Sequence, residues 1–403
     1  MGNQVARDSS HIQDLIRQLT ELDRDKQVDA MLEGAFKEPT SAAEQLVLAE
    51  RILEAFKRFG LLDQDSAQNV HLLLNLGRTY ARVSHLGKAR ETYEAGLQMA
   101  ERLEDEKTCA TLLMRIGQVL VRQRQWDEGL DVLDRSMAAF EGLSDQGGQA
   151  LVALNRGIIL HEKGDLAGAE AAYTRTVELG ERAGEQKAVM DASTNLAVLA
   201  TVQGRLDDAV GRYQTCLAMY QTAEDDLGLA RTYHNLGMTH ADREDWKAAM
   251  ACYEQAFNLA EPAGHLEVMA NIYVSRAELL LELGDTSMAA TCCGRALDIY
   301  LELKDYLGEA DTYRLLGRVF TLRKQWVTAG TLFLDCIRLS EAHGNPLNAA
   351  EAYRDLGMMH AERGLVSEAR DTFQLARAGF QKLGAEGGLA EVEALIAELD
   401  GGT

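Results

Sequence analysis

The chain has 403 residues, of which 46% are hydrophobic, so it has enough apolar side chains for an extended core. With 63 acidic against 41 basic residues its formal net charge is -22, which argues against nucleic acid and anionic membrane surfaces as partners. Its opening segment lacks the apolar stretch of a secretory signal, and no apolar run reaches about 18 residues, so we expect no membrane span and a cytoplasmic location.

The first 66 residues are less regular than the rest and predict an N-terminal helical cap. Residues 9–22 have the spacing of an amphipathic helix, and residues 28–37 that of a short, degenerate one. Residues 41–60 continue the apolar phase of the repeats that follow. We therefore assign 1–66 to a cap that contains a degenerate repeat.

From residue 67 to residue 386, similar residues recur every 40 positions through eight consecutive repeats without insertion. A small residue holds the first recurring position: Gly77, Gly117, Gly157, Ala197, Gly237, Ala277, Gly317 and Gly357. A second small position comes twelve residues later: Ala89, Gly129, Ala169, Ala209, Ala249, Ala289, Ala329 and Ala369. The next position is mostly aromatic: Tyr93, Leu133, Tyr173, Tyr213, Tyr253, Cys293, Phe333 and Phe373. Such self-similarity indicates a solenoid, in which each unit buries its apolar face against its neighbours.

Each unit has the pattern of two helices. In the first unit, Leu73, Leu76 and Tyr80 recur at spacings of three and four, and a second stripe includes Ala89 and Tyr93. Glycine recurs at the predicted helix ends, where it can adopt the left-handed conformation: Gly164, Gly184, Gly204, Gly264, Gly284, Gly344, Gly364 and Gly384. The prediction is an all-α solenoid of antiparallel helix pairs, closed by a capping helix and tail over 387–403.

The motif Asn75-Leu76-Gly77-x-x-Tyr80, followed by Ala89 and Tyr93, resembles the tetratricopeptide repeat. The resemblance implies a right-handed superhelix whose first helices line a concave face. The 40-residue length differs from the usual 34 and is similar to that of repeats in LGN-type adaptors, kinesin light chains, rapsyn and bacterial peptide-sensing regulators. It implies binding of a protein or peptide but does not identify the partner.

The resemblance places peptide-contacting asparagines just before the Leu-Gly pair, where this chain has Asn75, Asn155, Asn195 and Asn235. An amide presents both a donor and an acceptor to an extended peptide backbone. The alternative is that each asparagine braces its own helix.

The predicted groove also has a basic part and an apolar part. Four arginines lie in the first two repeats: Arg78, Arg82, Arg115 and Arg122. Guanidinium pairs bidentately with carboxylate, so they predict an acidic partner, the alternative being a solvated face with intramolecular partners. The middle repeats supply apolar groove positions: Leu154, Ile158, Val198 and Met238.

The sequence lacks the motifs of known catalytic centres. It has no nucleophile elbow, phosphate-binding lysine loop or zinc-protease motif, and its six cysteines lack metal-site spacing. We expect no enzyme activity, cofactor or metal. The favoured interpretation is an adaptor that binds a partner segment with acidic and apolar residues. A peptide-responsive sensor and a self-assembling homo-oligomer are the alternatives.

Overall fold

The computed structural model describes residues 65–401 and, before them, residues 47, 50, 51, 53 and 54, which are helical. Most of the predicted N-terminal cap therefore lies outside the described residues. The chain consists of two compact units, Met1–Leu196 and Ala197–Thr403, called unit 1 and unit 2 below.

Between residues 65 and 401 the chain forms seventeen helices and no strand, which confirms the all-α solenoid class. Unit 1 contains α1 Ala67–Arg82, α2 Leu86–Arg102, α3 Glu106–Arg122, α4 Trp126–Gly142, α5 Gln146–Glu162, α6 Leu166–Ala183 and the first part of α7 Gln186–Val202. Unit 2 contains the remainder of α7, then α8 Leu206–Thr222, α9 Asp226–Asp242, α10 Trp246–Ala260, α11 Leu266–Glu282, α12 Thr286–Leu303, α13 Tyr306–Leu322, α14 Trp326–Ala342, α15 Pro346–Glu362, α16 Val366–Leu383 and α17 Glu386–Gly401. Odd-numbered helices are the first helix of each repeat (helix A), and even-numbered helices are the second (helix B).

A left-handed residue ends each helix at intervals of twenty residues, from Ser84 to Gly384. Eight of these residues are glycines at the predicted positions, and the other eight are not glycine. The following N–H bonds the carbonyl five residues earlier, as His85 does to Tyr80 at 2.9 Å. This pattern satisfies carbonyls at the helix end that would otherwise lack a donor.

Small residues at the helix crossings make room for the aromatic position. A Cβ atom on Gly77 would lie 2.4 Å from Cε1 of Tyr93, and one on Gly237 would lie 2.5 Å from Cε1 of Tyr253. Where Ala277 replaces the glycine, the opposing residue is Cys293 rather than an aromatic. The pair of helices therefore approaches closely because one partner has no side chain at the contact.

The structure also reveals a period of 80 residues that the 40-residue pattern conceals. In every second repeat, an aromatic residue near the end of helix B packs against a glycine of the next helix A: Phe140 with Gly148, Tyr220 with Gly228, Tyr300 with Gly308 and Phe380 with Gly388. The intervening repeats have small residues in place of the aromatic: Ala100, Gly180, Ala260 and Ser340. Two consecutive repeats thus form the structural period.

The tryptophans and cysteines contribute to the core. The tryptophans Trp126, Trp246 and Trp326 pack against buried clusters. Four cysteines are buried and two are half-buried, and all six are free thiols. Arg156 forms an ion pair with Asp134.

Candidate functional site

Within each unit, the A helices of successive repeats contact one another, as α3 does with α5 in unit 1 and α11 does with α13 in unit 2. We call the side of these helices that carries residues 71, 75, 78 and 82, and their equivalents every 40 residues, the helix-A wall. The predicted site residues lie on this wall or immediately beneath it.

The four predicted arginines of unit 1 have different environments. Arg78 and Arg82 are exposed, and neither pairs with a carboxylate among the described residues. Arg122 instead donates to the Ala81 carbonyl and, at 3.0 Å, to the Ser84 hydroxyl of the preceding repeat. Arg122 therefore links two repeats at the end of a helix, where its positive charge also interacts favourably with the helix dipole.

Arg115 is half-buried and incompletely hydrogen-bonded. Its Nη1 donates to Oε1 of Gln118 at 3.0 Å, and its buried Nε has no acceptor. Desolvation lowers the pKa of this guanidinium, and the positive charge of Arg78 lowers it further. Burial raises the pKa of Tyr93 to about 12, while Arg115 and Arg78 oppose that rise.

The asparagines are less available than the motif implies. Asn155 is buried, and its amide donates to the Leu151 carbonyl of its own helix at 2.6 Å. The amide of Asn75 lies 3.3 Å from the His71 ring. Asn195 and Asn235 are half-buried. Asn155 thus braces its own helix, and peptide contact stays a prediction for all four asparagines.

The apolar positions form a graded surface. Leu154 is buried and belongs to the floor beneath the wall, whereas Ile158 and Val198 are half-buried. Met238 is 44% exposed, so this side chain can bury further area against a ligand.

The wall of unit 2 carries its own counter-charges; the sequence shows basic and acidic residues mixed there, and the structure shows which of them pair. Arg314 contacts Asp355 at 3.3 Å and Glu351 at 3.2 Å, and it donates to Oδ1 of Asn348 at 3.0 Å. Further pairs join the same wall: Arg354 with Asp355, Arg354 with Glu391, and Arg318 with Glu282. The available signal was opposite charge about one repeat apart. These arginines are therefore occupied.

Two carboxylates of this wall are held in an unfavourable environment. Burial raises the pKa of Asp311 to about 6, although the nearby Arg314 opposes the shift. Burial also raises the pKa of Glu278, against Arg314 and Arg318. Both groups are partly desolvated within a wall that contains more acids than bases.

A serine–histidine contact joins α9 and α11. Nε2 of His234 lies 2.9 Å from Oγ of Ser275, but burial lowers the pKa of His234 to about 4. Both residues lie within helices, where backbone N–H groups already bond carbonyls and cannot stabilise an oxyanion. Within the described part of the chain, no group of three or more His, Cys, Asp or Glu could hold a metal ion. No described helix has the length and apolarity needed to cross a membrane.

Comparison with known proteins identifies the repeat. The family model of the tetratricopeptide repeat, which describes its sequence pattern, matches residues 108–182, 189–261 and 268–342. These residues make up more than half of the chain. Successive matches begin about 80 residues apart, in agreement with the two-repeat period. None of the curated proteins compared with the chain matches it in sequence.

Solved structures share the fold at low sequence identity. The apo quorum sensor NprR from B. thuringiensis is 16% identical, with 89% of this chain and 100% of that chain covered and a TM-score of 0.60. A Rap protein complexed with Competence and Sporulation Factor is 14% identical, with 93% and 98% covered and a TM-score of 0.56. A signal-transduction ATPase with a tetratricopeptide repeat sensor from Pyrococcus horikoshii is 15% identical, with 92% and 54% covered and a TM-score of 0.61. The narrower resemblance to LGN-type adaptors, kinesin light chains and rapsyn stays a prediction.

Proposed function

We propose, because the chain belongs to the tetratricopeptide repeat family, that it is a non-enzymatic scaffold that binds a segment of a partner protein on its helix-A wall. Repeat arrays of this kind use extended surfaces of stacked helices for binding. One observation carries the proposal: Arg78 and Arg82 are exposed without a described ion-pair partner, whereas Arg314 and Arg354 of unit 2 are engaged with carboxylates. The wall of unit 1 therefore has charge available for a ligand.

The chemistry of the wall defines the proposed partner. Unpaired guanidinium groups favour acidic side chains or a terminal carboxylate. Half-buried Ile158 favours apolar contact nearby. We expect a segment with acidic and apolar residues, with Asn75 and Asn195 available to its backbone. The six free thiols support a reducing, cytoplasmic location.

Site-specific photo-crosslinking tests this proposal. A photoreactive amino acid replaces Gln118 on the wall or, as a control, Arg135, which is exposed on the helix-B side of unit 1. We expect a partner to crosslink from position 118 and not from position 135. Equal crosslinking from both positions, or none from position 118, would contradict the proposal.

Charge reversal then measures the contribution of the arginines. Arg78→Glu combined with Arg82→Glu should weaken binding of the crosslinked partner more than tenfold and reduce its dependence on salt. Arg135→Glu introduces an acid of the same kind away from the wall and should leave affinity unchanged.

A peptide-responsive sensor is the second candidate. It is favoured by the fold shared with a Rap protein solved with Competence and Sporulation Factor and with the quorum sensor NprR. Solution scattering with and without the bound segment separates the two functions, because a rigid scaffold keeps its radius of gyration. Self-assembly is a third possibility, supported by exposed apolar residues of unit 2 such as Leu322, Val327 and Leu334, and sedimentation across a concentration series tests it.

A further inference from the structure

Two neighbouring helices B of unit 2, α12 and α14, expose apolar side chains away from the helix-A wall. Val327 at the start of α14 is 82% exposed, more than any other large apolar side chain among the described residues. Leu334 lies two helical turns further along the same face and is 57% exposed. Met288 on α12 and Leu283 in the turn before α12 are 48% and 53% exposed. We call these four side chains the helix-B patch.

The two repeats that carry the helix-B patch are joined directly beside it. Arg323, in the turn before α14, donates from Nη2 to the carbonyl of Thr286, the first residue of α12, at 2.8 Å. Its Nε also lies 3.3 Å from the Thr286 hydroxyl. The patch therefore extends over two connected repeats of one compact unit.

The face around the helix-B patch carries no charge. From residue 287 to 291 and from 327 to 334, the other exposed side chains are all hydroxyls: Ser287, Thr291, Thr328 and Thr331. The equivalent positions at the start of α4 and α8 expose acids instead: Asp127, Glu128, Asp207 and Asp208. Two copies of a chain with a net charge of -22 repel each other over most of their surfaces. An uncharged face is where that repulsion is smallest.

The two turns that border the helix-B patch have opposite charges. The turn 283–285 has Asp285 as its charged residue, and the turn 323–325 has Arg323 and Lys324. Asp285 accepts hydrogen bonds from the backbone of Ser287 and Met288, and Lys324 is exposed. Neither Asp285 nor Lys324 forms an ion pair within the part of the chain that the structure describes.

Opposite charges one repeat apart make this face complementary to itself. A two-fold axis between the two turns brings Asp285 of each copy to Lys324 of the other, and a contact in a two-fold interface occurs twice. The patch is roughly 20 Å wide, because packed helices lie about 8–10 Å apart, and roughly 15 Å long, so its apolar core covers roughly 300 Å². The surrounding hydroxyl and charged side chains supply the polar rim of an interface that needs about 800 Å² per partner.

We propose that two copies of this chain associate through the helix-B patch, with Met288 and Val327 at its centre and an Asp285–Lys324 ion pair on each side. The dimer goes beyond the scaffold function and is compatible with it, because the patch lies on helices B and the helix-A wall lies on helices A. A dimer presents two walls, which increases the avidity for a partner that carries two copies of the bound segment.

Sedimentation of the full chain across a concentration series tests the dimer. We expect a reversible change from the monomer mass of 44.3 kDa to twice that mass. Val327→Glu places an unpaired charge at the centre of the interface and should raise the dimer Kd at least tenfold, which corresponds to about 1.4 kcal/mol. Leu301→Glu is the matched control, because Leu301 is 52% exposed at the other end of α12. It should leave the dimer Kd unchanged, and circular dichroism checks that both variants are folded.

A charge exchange tests the arrangement of the two copies. Lys324→Glu and Asp285→Lys, each in a separate chain, should weaken self-association because like charges then face each other across the axis. An equimolar mixture of the two variants should form a heterodimer, because both ion pairs are restored. Lys304→Glu reverses the same charge at a residue with the same φ of 55° in another turn, and it should have no effect.

A chain that stays monomeric up to hundreds of micromolar, or a dimer that Val327→Glu leaves intact, would overturn the proposal. A mixture of the charge variants that associates no better than either alone would overturn it too. Loss of partner binding in Val327→Glu without any change in mass would show that a different protein covers the patch. If the chain is monomeric and position 118 still crosslinks a partner, the dimer is wrong and the scaffold function stands. If the dimer forms and no partner crosslinks, the dimer stands and the scaffold function fails.

Discussion

The eight left-handed turn residues that are not glycine offer a direct test of what limits the stability of the repeats. Unit 1 has four consecutive examples, and the last three of them, Glu104, Arg124 and Ser144, have φ of 54°, 56° and 53°. Later turns have glycine in the same conformation, for example Gly164 with φ of 82°. The perturbation is to replace these three residues by glycine.

The expected gain follows from backbone sterics. The left-handed conformation costs roughly 1–2 kcal/mol for a residue with a Cβ, and glycine removes this cost. The greater entropy of glycine in the unfolded chain reduces the gain by roughly 0.5–1 kcal/mol. Each substitution should therefore stabilise by about 0.5–1 kcal/mol. The three lie in separate turns and should add to about 1.5–3 kcal/mol, or roughly 3–12 °C in the Tm of a unit of this size.

Thermal and urea unfolding followed by circular dichroism measure the effect. Glu104→Gln removes the same charge while the strained φ remains, so it should change stability little. Glu91→Gly places glycine on an exposed position within α2 and should destabilise by about 1 kcal/mol. A triple glycine variant no more stable than wild type, alongside the normal loss in Glu91→Gly, would refute the reasoning.

Three further predictions concern packing and charge in unit 2. Gly228→Ala should destabilise by about 1–3 kcal/mol in urea unfolding, because its Cβ would lie 2.2 Å from Cδ1 of Tyr220. Gly211→Ala is the control and should stabilise by up to about 1 kcal/mol, since the space around Gly211 is open. Equal effects of the two substitutions would contradict the packing argument. The raised folded-state pKa of Asp311 makes the stability of the wild type fall as the pH rises from about 4 to above 6. Asp311→Asn should therefore stabilise the protein by up to about 3 kcal/mol at pH 8 and have no such effect at pH 4. A stability difference that does not depend on pH would be inconsistent with the raised pKa. Arg314→Met should lower the free energy of unfolding by about 3–5 kcal/mol at pH 7, because it leaves the carboxylates that Arg314 contacts without this positive charge. Acidification should reduce the loss. An unchanged free energy of unfolding would show that the network does not stabilise the fold.

The predicted site residues illustrate how far a repeat pattern reaches. The pattern places Asn155 and Arg122 on helix A, yet Asn155 bonds its own helix and Arg122 bonds the preceding repeat. It also places Arg115 in the groove without showing that its buried Nε has no acceptor. Position within a repeat specifies which element a residue occupies. It does not specify which neighbour its long side chain contacts.

The sequence by itself determined the helices, their turns and their small-residue crossings, because these depend on local spacing and on backbone conformation repeated every 20 or 40 residues. The tertiary structure decided the pairing of charges on the wall of unit 2, the incomplete hydrogen bonding of Arg115 and the 80-residue period of aromatic and glycine contacts. Those features join residues of neighbouring helices and repeats. Their partners become evident only when the helices are packed together, since many side chains have compatible charge or size but few lie within contact distance.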